Sequence, residues 1–317
     1  MGAFLHAVRV FAGHLAAVHW ELLAIALGLH LAKLVLRAIA WRAILRASYP
    51  DARPPFRSVL GAYAAGVGGN SVAPARTGDL VKLYLVRHRV PGSHYPTLAP
   101  TLAAETVLDF FVAGALMIWA LSIGVLPTHQ VYSRIPTVDW KFLFRYQHAA
   151  EIAIVVVVAA AVIGFAHFAE HGGEFRARVR QGFAIFGDPR ALLRAVLLPQ
   201  ALSWVLRIAS IYYFLRAFDV HASLHNALLV QVVESLATLF PATPGGAGTK
   251  QGLIVFVFAG QAVSDSLLLA FSVGMNIALV ACNVLIGIAA IGLMTRSLSW
   301  RNLRHRARQD EAPATPD

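Results

Sequence analysis

Long apolar windows separated by short polar segments dominate the pattern of this chain. Each window reaches roughly 20 residues, the length of a helix that crosses the hydrocarbon core of a bilayer. The windows are centred on residues 20–40, 100–126, 149–169, 192–218 and 264–295. Backbone polar groups must be satisfied internally in lipid, which long helices achieve. The pattern therefore predicts an all-α fold, a polytopic integral membrane helical bundle.

The composition agrees with a membrane protein. Of the 317 residues, 58% are hydrophobic and 14% are charged, whereas a soluble domain carries roughly 25% charged residues. A net charge of +11 in a soluble protein would suggest a nucleic-acid partner, but here the basic residues flank apolar windows. They are interpreted as topology signals instead, and no nucleic-acid partner is expected. Cys282 is the only cysteine, so an intrachain disulfide is excluded.

The distribution of basic residues predicts the side of the membrane that each polar segment occupies. Excess Lys and Arg marks cytoplasmic segments, and it occurs after the first window, in residues 170–194 and in the tail 296–317. Residues 127–148 and 219–263 are poorer in basic residues and are predicted to be external. We expect a bacterial-type plasma membrane and a cytoplasmic C-terminus. The basic residues assigned to the end of the first window are Lys33, Arg37, Arg42, Arg46, Arg53 and Arg57.

Two stretches rich in glycine and proline interrupt the apolar pattern. They read GVGGNSVAPARTGDL at residues 66–80 and FPATPGGAGTK at residues 240–250. Glycine and proline disfavour helix interiors, so both stretches predict helix breaks. Each lies between two short, moderately apolar segments, and each set of short segments lies between long windows.

This layout predicts an internal repeat. Placing Pro74 over Pro244 also aligns Gly78 with Gly248, and the charge distribution puts the two stretches on opposite faces of the membrane. We therefore expect two inverted repeats, each with a re-entrant, broken-helix hairpin, as in many transporters. The predicted boundaries are 1–295 for a single membrane domain, about 18–169 and 192–295 for its halves, and 296–317 for a basic, then disordered tail.

Helix-start signals follow both interruptions. Thr77 is a predicted N-cap, with Asp79 in the first turn, where the helix dipole favours an acidic residue. Thr249 is the corresponding cap for a helix that runs to about residue 260. The free backbone N–H groups of such a helix start bind anions, and lipid phosphate is the obvious anion in a membrane. Tight turns between short helices are the alternative.

Three segments, in this order, carry a resemblance to a known family: NSVAPARTGDLVKLYLVRH, AAETVLDFF and LFPATPGGAGTKQG. They resemble the transmembrane, flippase-like domain of the lysylphosphatidylglycerol synthase family, over roughly residues 18–295. The resemblance implies a helical membrane domain with re-entrant segments, linked to moving an aminoacylated phospholipid between leaflets. The full-length synthases carry a soluble aminoacyltransferase domain after the membrane part. A short polar tail follows the last window here, so we expect that domain to be absent.

The resemblance points to residues of both interruptions as a site for lipid headgroup binding and translocation. Arg76 is the leading candidate for holding an anionic headgroup, because a guanidinium binds phosphate through two hydrogen bonds. Its alternative role is a positive-inside anchor. Lys250 either meets a phosphate on the external side or snorkels to the interface. The residues that match the family motif are Asn70, Pro74, Arg76, Gly78, Asp79, Pro241, Pro244, Gly245, Gly246, Gly248 and Thr249.

Four ionisable residues in the apolar regions complete the candidate site. A charge at the centre of a membrane helix costs about 2.5–3.5 kcal/mol, so such residues are functional candidates. Glu105 and Asp109 lie one helical turn apart, and they repel unless a proton or a cation such as Arg76 is near. Arg207 and Glu234 are the other two. Structural ion pairs, a polar path for a headgroup and a proton relay are the open interpretations.

These observations predict a flippase-like lipid translocator whose partners are membrane lipids with anionic or phosphate-bearing headgroups. Two alternatives stay open: an intramembrane lipid-modifying enzyme, and a non-transporting scaffold for a separate lipid-synthesis enzyme. The sequence has no nucleophile-elbow motif, so neither catalytic residues nor a cofactor are expected. HFAEH at residues 167–171 matches a zinc-protease pattern, but it lies at the end of a predicted span, and no metal site is expected.

Overall fold

The computed structural model of the protein describes residues 13, 17–73, 77–122, 173–239, 249–258 and 263–295. All regular elements in these residues are helical, which confirms the all-α prediction. A 3₁₀ turn at Ala184–Gly187 precedes α6, and α6 contains a π-helical segment at Leu192–Leu197. The helices are α1 (Trp20–Ser48), α2 (Phe56–Val72), α3 (Thr77–Arg87), α4 (Tyr95–Ser122), α5 (Gly173–Gly182), α6 (Pro189–Ala217), α7 (Leu224–Leu239), α8 (Thr249–Val257) and α9 (Asp265–Thr295).

Four of these helices, α1, α4, α6 and α9, are long and apolar enough to cross a membrane. They coincide with four of the five predicted windows, and the window at 149–169 lies outside the described residues. With 29 residues, α1 is about 43 Å long at 1.5 Å per residue, which exceeds the hydrocarbon thickness of about 30 Å. The prediction of a polytopic integral membrane protein is confirmed.

Pairs of short helices lie between the long helices in both halves of the chain. The first pair, α2 and α3, has 17 and 11 residues, and the second pair, α7 and α8, has 16 and 9 residues. At 1.5 Å per residue none of them reaches the bilayer thickness of about 30 Å. The order of one long helix, a pair of short helices and another long helix occurs twice along the chain, as predicted. The inverted orientation of the halves and the re-entrant position of the pairs stay predictions.

Helix α2 ends at Val72 and α3 begins at Thr77, so the first interruption does contain the end of one helix and the start of the next. Its glycines, however, lie inside a helix, contrary to the expectation from the sequence. Gly66, Gly68 and Gly69 all lie within α2, which continues to Val72. They allow neighbouring backbones to approach closely: a Cβ atom on Gly68 would lie 2.8 Å from the Cα atom of Gly287 on α9. Small residues at helix contacts are common in membrane proteins for this reason. Helix packing therefore explains these glycines.

Helices α1 and α6 pack along each other at the centre of the described bundle. Along α1, Leu23 and Ala26 belong to one buried apolar cluster, formed mainly with α6, α7, α8 and α9. Further along, Leu34 and Trp41 belong to a second cluster with α2 and α3. His30 lies between these two sets of α1 residues and is itself buried. His30 thus faces the interior where the two clusters meet.

Two basic residues do not occupy the position predicted for them. The sequence places Lys33 and Arg37 after the first span, but they are the fourteenth and eighteenth of the 29 residues of α1. The helix continues past the most apolar window. Arg37 pairs there with Glu105 and Asp109 on α4, whereas Lys33 donates to His30 of α1 itself. These two residues therefore carry no information about topology, whereas Arg46 lies in the last turn of α1.

Candidate functional site

A polar cavity of about 260 Å³ lies among six helices of the described structure. Helices α1, α2, α6, α7, α8 and α9 all contribute to its walls. Four residues of the predicted site line it: Asn70, Arg207, Glu234 and Lys250. Six polar residues that the sequence did not predict for the site line it as well: His30, Lys33, Ser71, Ser210, Asn276 and Asn283.

A directional chain of hydrogen bonds holds the α1 side of this cavity. Lys33 Nζ lies 3.1 Å from His30 Nδ1, and His30 Nε2 lies 2.8 Å from Asn283 Oδ1. An ammonium group only donates, so Nδ1 accepts and the Nε2–H group donates to Asn283. Asn283 Nδ2 then donates to Ser71 Oγ at 3.1 Å, and Ser71 Oγ donates to the carbonyl of Val67 at 3.0 Å. The chain joins α1, α9 and α2 and orients Lys33.

The α6 side of the cavity contains an ion pair. An Nη atom of Arg207 lies 3.1 Å from Glu234 Oε2, and Arg207 Nε donates to Gln231 on α7. Gln231 Nε2 in turn donates to Ser235 Oγ at 3.0 Å. The Arg207 guanidinium also lies 5.1 Å from the ring centre of Trp204, within cation–π range. Arg207 and Glu234 therefore form the interhelical pair that was one of the interpretations from the sequence.

A second polar network lies beside the cavity, buried among α1, α2 and α4. Arg37 contacts both carboxylates of the predicted α4 pair, Asp109 at 2.9 Å and Glu105 at 3.5 Å. Arg37 Nε donates to the Tyr63 hydroxyl at 2.8 Å, and that hydroxyl donates to Glu105 Oε1 at 2.9 Å. Arg37 is therefore the cation that offsets the repulsion between the two carboxylates. The sequence pattern places this residue at the end of the span. Arg76, proposed for this role, lies outside the described residues.

The first turn of α3 extends this network. Lys82 Nζ lies 3.4 Å from Asp79 Oδ1 and 4.0 Å from Glu105 Oε2, and it sits 4.0 Å from the ring centre of Tyr63. Asp79 occupies the first turn of α3, as predicted. Asn70 Nδ2 donates to Asp79 Oδ1 at 3.1 Å. Because Asn70 also lines the cavity, it connects the network to the cavity.

Helix α6 makes a second connection between the network and the cavity. Trp204 Nε1 donates to Asp109 Oδ1 at 2.9 Å, and Gln200 Nε2 donates to the backbone carbonyl of Glu105 at 3.2 Å. One turn further along α6, Arg207 faces the cavity. A displacement of α6 relative to α4 therefore changes the network and the cavity together.

The predicted site residues that the structure describes fall into three groups, and the others lie outside the described residues. Those that line the cavity are Asn70, Arg207, Glu234 and Lys250, and those in the buried network are Asp79, Glu105 and Asp109. Gly78 packs against α2, where a Cβ atom would overlap the backbone of Asn70, and Thr249 is the first residue of α8. Those outside the described residues are Pro74, Arg76, Pro241, Pro244, Gly245, Gly246 and Gly248.

One sequence signal could have found the missed residues of α1. His30, Lys33 and Arg37 are three and four positions apart, so they lie on one face of a helix. A polar stripe on an otherwise apolar membrane helix indicates a face buried against protein or a cavity. Asn276 and Asn283 on α9 are seven positions apart and share a face for the same reason. Ser71 carries no comparable signal.

The described residues contain no group of three His, Cys, Asp or Glu side chains arranged to hold a metal ion. The HFAEH segment at 167–171 lies outside the described part of the chain. The residues that surround the cavity are mainly amide, hydroxyl and cationic groups, which bind anions and hydroxyls. These groups can hold a polar or anionic group.

Comparison with known proteins supports the resemblance seen in the sequence. The family model of the lysylphosphatidylglycerol synthase TM region matches residues 3–287. A UPF0104 membrane protein of Methanothermobacter thermautotrophicus is 24% identical over 280 residues, which cover 81% of this chain and 79% of that protein. No solved structure matches the chain. The match to the family model extends over most of the chain, and the protein belongs to the lysylphosphatidylglycerol synthase transmembrane-region family.

Proposed function

We propose that this protein is a lipid translocator that moves a phospholipid with an anionic headgroup between the leaflets of its membrane. The main support for this proposal is the excess of positive charge around the cavity. Lys33, Arg207 and Lys250 line it together with one carboxylate among the described residues, that of Glu234. An excess of cationic groups over carboxylates in a polar cavity favours an anionic ligand.

The position of the cavity suits such a ligand. Lys33 lies near the middle of the 29-residue helix α1, where a charged side chain costs about 2.5–3.5 kcal/mol unless protein, water or a ligand solvates it. A headgroup in the cavity supplies that solvation, and the lipid tails stay in the bilayer. The cavity also contacts the end of α2 through Ser71 and the start of α8 through Lys250. Both short-helix pairs therefore contribute to the proposed headgroup site.

Leaflet exchange in liposomes tests the proposal. The purified protein is reconstituted with fluorescent phosphatidylglycerol, and the fraction of probe accessible to an external quencher is followed over time. We expect exchange well above that of protein-free liposomes. Lys33→Gln should slow it at least about tenfold, since a charge-assisted hydrogen bond contributes about 1.5–3 kcal/mol.

Arg46→Gln is the matched control, because Arg46 lies on the same helix and is exposed. It should exchange lipid at the wild-type rate. Exchange no faster than in empty liposomes, or equal rates for Lys33→Gln and Arg46→Gln, would contradict the proposal. Release of a modified lipid would favour the enzyme alternative instead. Binding of lipid with neither exchange nor product would leave the scaffold alternative.

A further inference from the structure

We infer that the headgroup bound in the cavity is a phosphate monoester, which carries two negative charges, and that a cationic aminoacylated headgroup is disfavoured. The inference rests on the proposed function, since it takes the cavity as the headgroup site. It narrows the ligand from anionic lipids in general to one chemical class. It also departs from the aminoacylated phospholipid that the family resemblance implies.

The formal charges around the cavity do not balance among the described residues. Glu234 is paired with Arg207 at 3.1 Å, so these two formal charges cancel. Within the described residues, no carboxylate lies at ion-pair distance from Lys33 or Lys250. In this part of the chain, two ammonium groups therefore face one cavity without a compensating charge. A dianion matches both, whereas a phosphodiester matches only one of them.

Hydrogen-bond donors from three helices face the cavity. Lys33 uses one N–H group on His30, and its other two N–H groups have no acceptor among the described residues. The hydrogen-bond chain through His30, Asn283 and Ser71 holds Lys33 in place. Lys250 and Asn276 also line the cavity. The three donors come from α1, α8 and α9, and a phosphate monoester presents three strong acceptor oxygens to meet them.

The volume of the cavity suits a small headgroup. At about 30 Å³ per water molecule, a cavity of about 260 Å³ holds about nine waters. This volume lies just below the range of about 300–1,000 Å³ found for small-molecule sites. It accommodates a phosphate group and a few waters. An aminoacyl-glycerophosphate headgroup brings at least one ammonium group towards Lys33 and Lys250, which costs electrostatic repulsion.

A binding experiment on the detergent-purified full chain tests the inference. Affinities are measured by intrinsic tryptophan fluorescence for short-chain phosphatidic acid, a monoester, and for short-chain phosphatidylglycerol, a diester. We expect phosphatidic acid to bind at least about tenfold more tightly than phosphatidylglycerol, because one additional charge-assisted hydrogen bond changes the dissociation constant by about that factor. Lysylphosphatidylglycerol should bind more weakly than either.

Two variants identify the groups responsible for the preference. Lys33→Gln and Lys250→Gln should each reduce the preference for the monoester, and the double variant should bind both lipids with similar affinity. Arg46→Gln should retain the wild-type ratio. Size-exclusion elution as a single symmetric peak establishes that each variant is folded. Equal wild-type affinities for the two lipids, or a preference that survives in the double variant, would overturn the inference.

Two further results separate this inference from the proposed function. If the protein prefers the monoester but does not exchange lipid between leaflets, the assignment of a phosphate-monoester ligand is supported and the proposed translocation is contradicted. If lipid exchange depends on Lys33 but the monoester and the diester bind equally well, the proposed translocation is supported and the assignment of a phosphate-monoester ligand is contradicted. Glycerol 3-phosphate is the soluble probe: if it binds as tightly as phosphatidic acid, the monoester assignment is supported and the assignment to a lipid is contradicted.

Discussion

Arg37 makes two carboxylates compatible with the interior of a membrane helix bundle. Glu105 and Asp109 lie one turn apart on α4, and the Arg37 guanidinium contacts both of them at 3.5 and 2.9 Å. The side chain of Glu105 is only 5% exposed, so water contributes little to its solvation. Tyr63 completes the arrangement by donating to Glu105 while it accepts from Arg37. Losing the guanidinium removes the cation that contacts both like charges.

We expect Arg37→Gln to destabilise the protein by about 3 kcal/mol, because breaking a buried ion pair leaves an uncompensated charge. Thermal unfolding in detergent, followed by circular dichroism, measures the effect against Arg46→Gln, a neutralised arginine at the exposed end of the same helix. The double variant Arg37→Gln with Asp109→Asn should recover part of the loss. Equal melting temperatures for Arg37→Gln and Arg46→Gln would contradict a stabilising role of the network.

The sequence identified the ionisable residues of this region but not their partners. Charged residues are rare in apolar windows, and this rarity identified Glu105, Asp109, Arg207 and Glu234. Pairing the two carboxylates with Arg37 required knowing that α1 lies against α4. Pairing Arg207 with Glu234 required knowing that α6 lies against α7, and no local pattern contains either contact. Lys33 and Arg37 were misplaced for a related reason: they were grouped with the basic residues that follow the span, although both lie within α1. For Arg37, its partners on α4 show that the side chain lies inside the bundle.

The helices themselves are held together by close backbone contacts. Gly68 on α2 faces Gly287 on α9, and Gly78 on α3 faces α2. Such contacts let short helices pack tightly where apolar side chains gain little from leaving lipid. The contact between α2 and α9 also carries the hydrogen bond from Asn283 to Ser71. Packing at these glycines therefore positions one wall of the cavity.

We predict that Gly287→Ala destabilises the protein by about 1–3 kcal/mol, since the added methyl group would overlap the backbone of α2. A Cβ atom there would lie 2.9 Å from the Cα atom of Gly68. Gly292→Ala is the control on the same helix, because its added methyl group would meet no atom within 4 Å. It should be neutral or stabilising, by up to about 1 kcal/mol. Similar melting temperatures for the two variants would show that the helix contact does not limit stability.

Element prediction succeeded where the signal is local. The apolar windows located α1, α4, α6 and α9, and the glycine–proline stretches located both pairs of short helices. The glycines at 66–69 were misinterpreted because glycine weakens an isolated helix by about 1 kcal/mol. In the folded protein, close helix packing outweighs that intrinsic cost. Helix propensity, which reflects only the local sequence, does not include the free energy gained from this packing.

At the scale of the whole molecule, the two halves of the chain meet at the cavity. Ser71 lies near the end of α2 in the first half, and Lys250 lies at the start of α8 in the second. If the halves are inverted, the two glycine–proline stretches enter the membrane from opposite sides. A headgroup site between them is then reachable from either leaflet in turn.

Cysteine labelling tests that inverted arrangement. Cys282 is the only cysteine, so Cys282→Ser provides a background for Ser71→Cys and for Ala247→Cys. An impermeant maleimide added to intact cells, or to inside-out vesicles, labels positions open to one side. We expect Ser71→Cys to react from the cytoplasmic side and Ala247→Cys from the external side. Reaction of both from the same side alone would exclude the inverted repeat.

Filling the cavity is the most direct test of its role in translocation. Asn276 lines the cavity, and its neighbour Ile277 on α9 is 60% exposed on the outer surface of the described bundle. Both are changed to phenylalanine, and leaflet exchange of fluorescent phosphatidylglycerol is measured in liposomes. Asn276→Phe should reduce exchange to near the protein-free rate, whereas Ile277→Phe should leave it unchanged. Exchange at the wild-type rate in folded Asn276→Phe would contradict a headgroup path through this cavity.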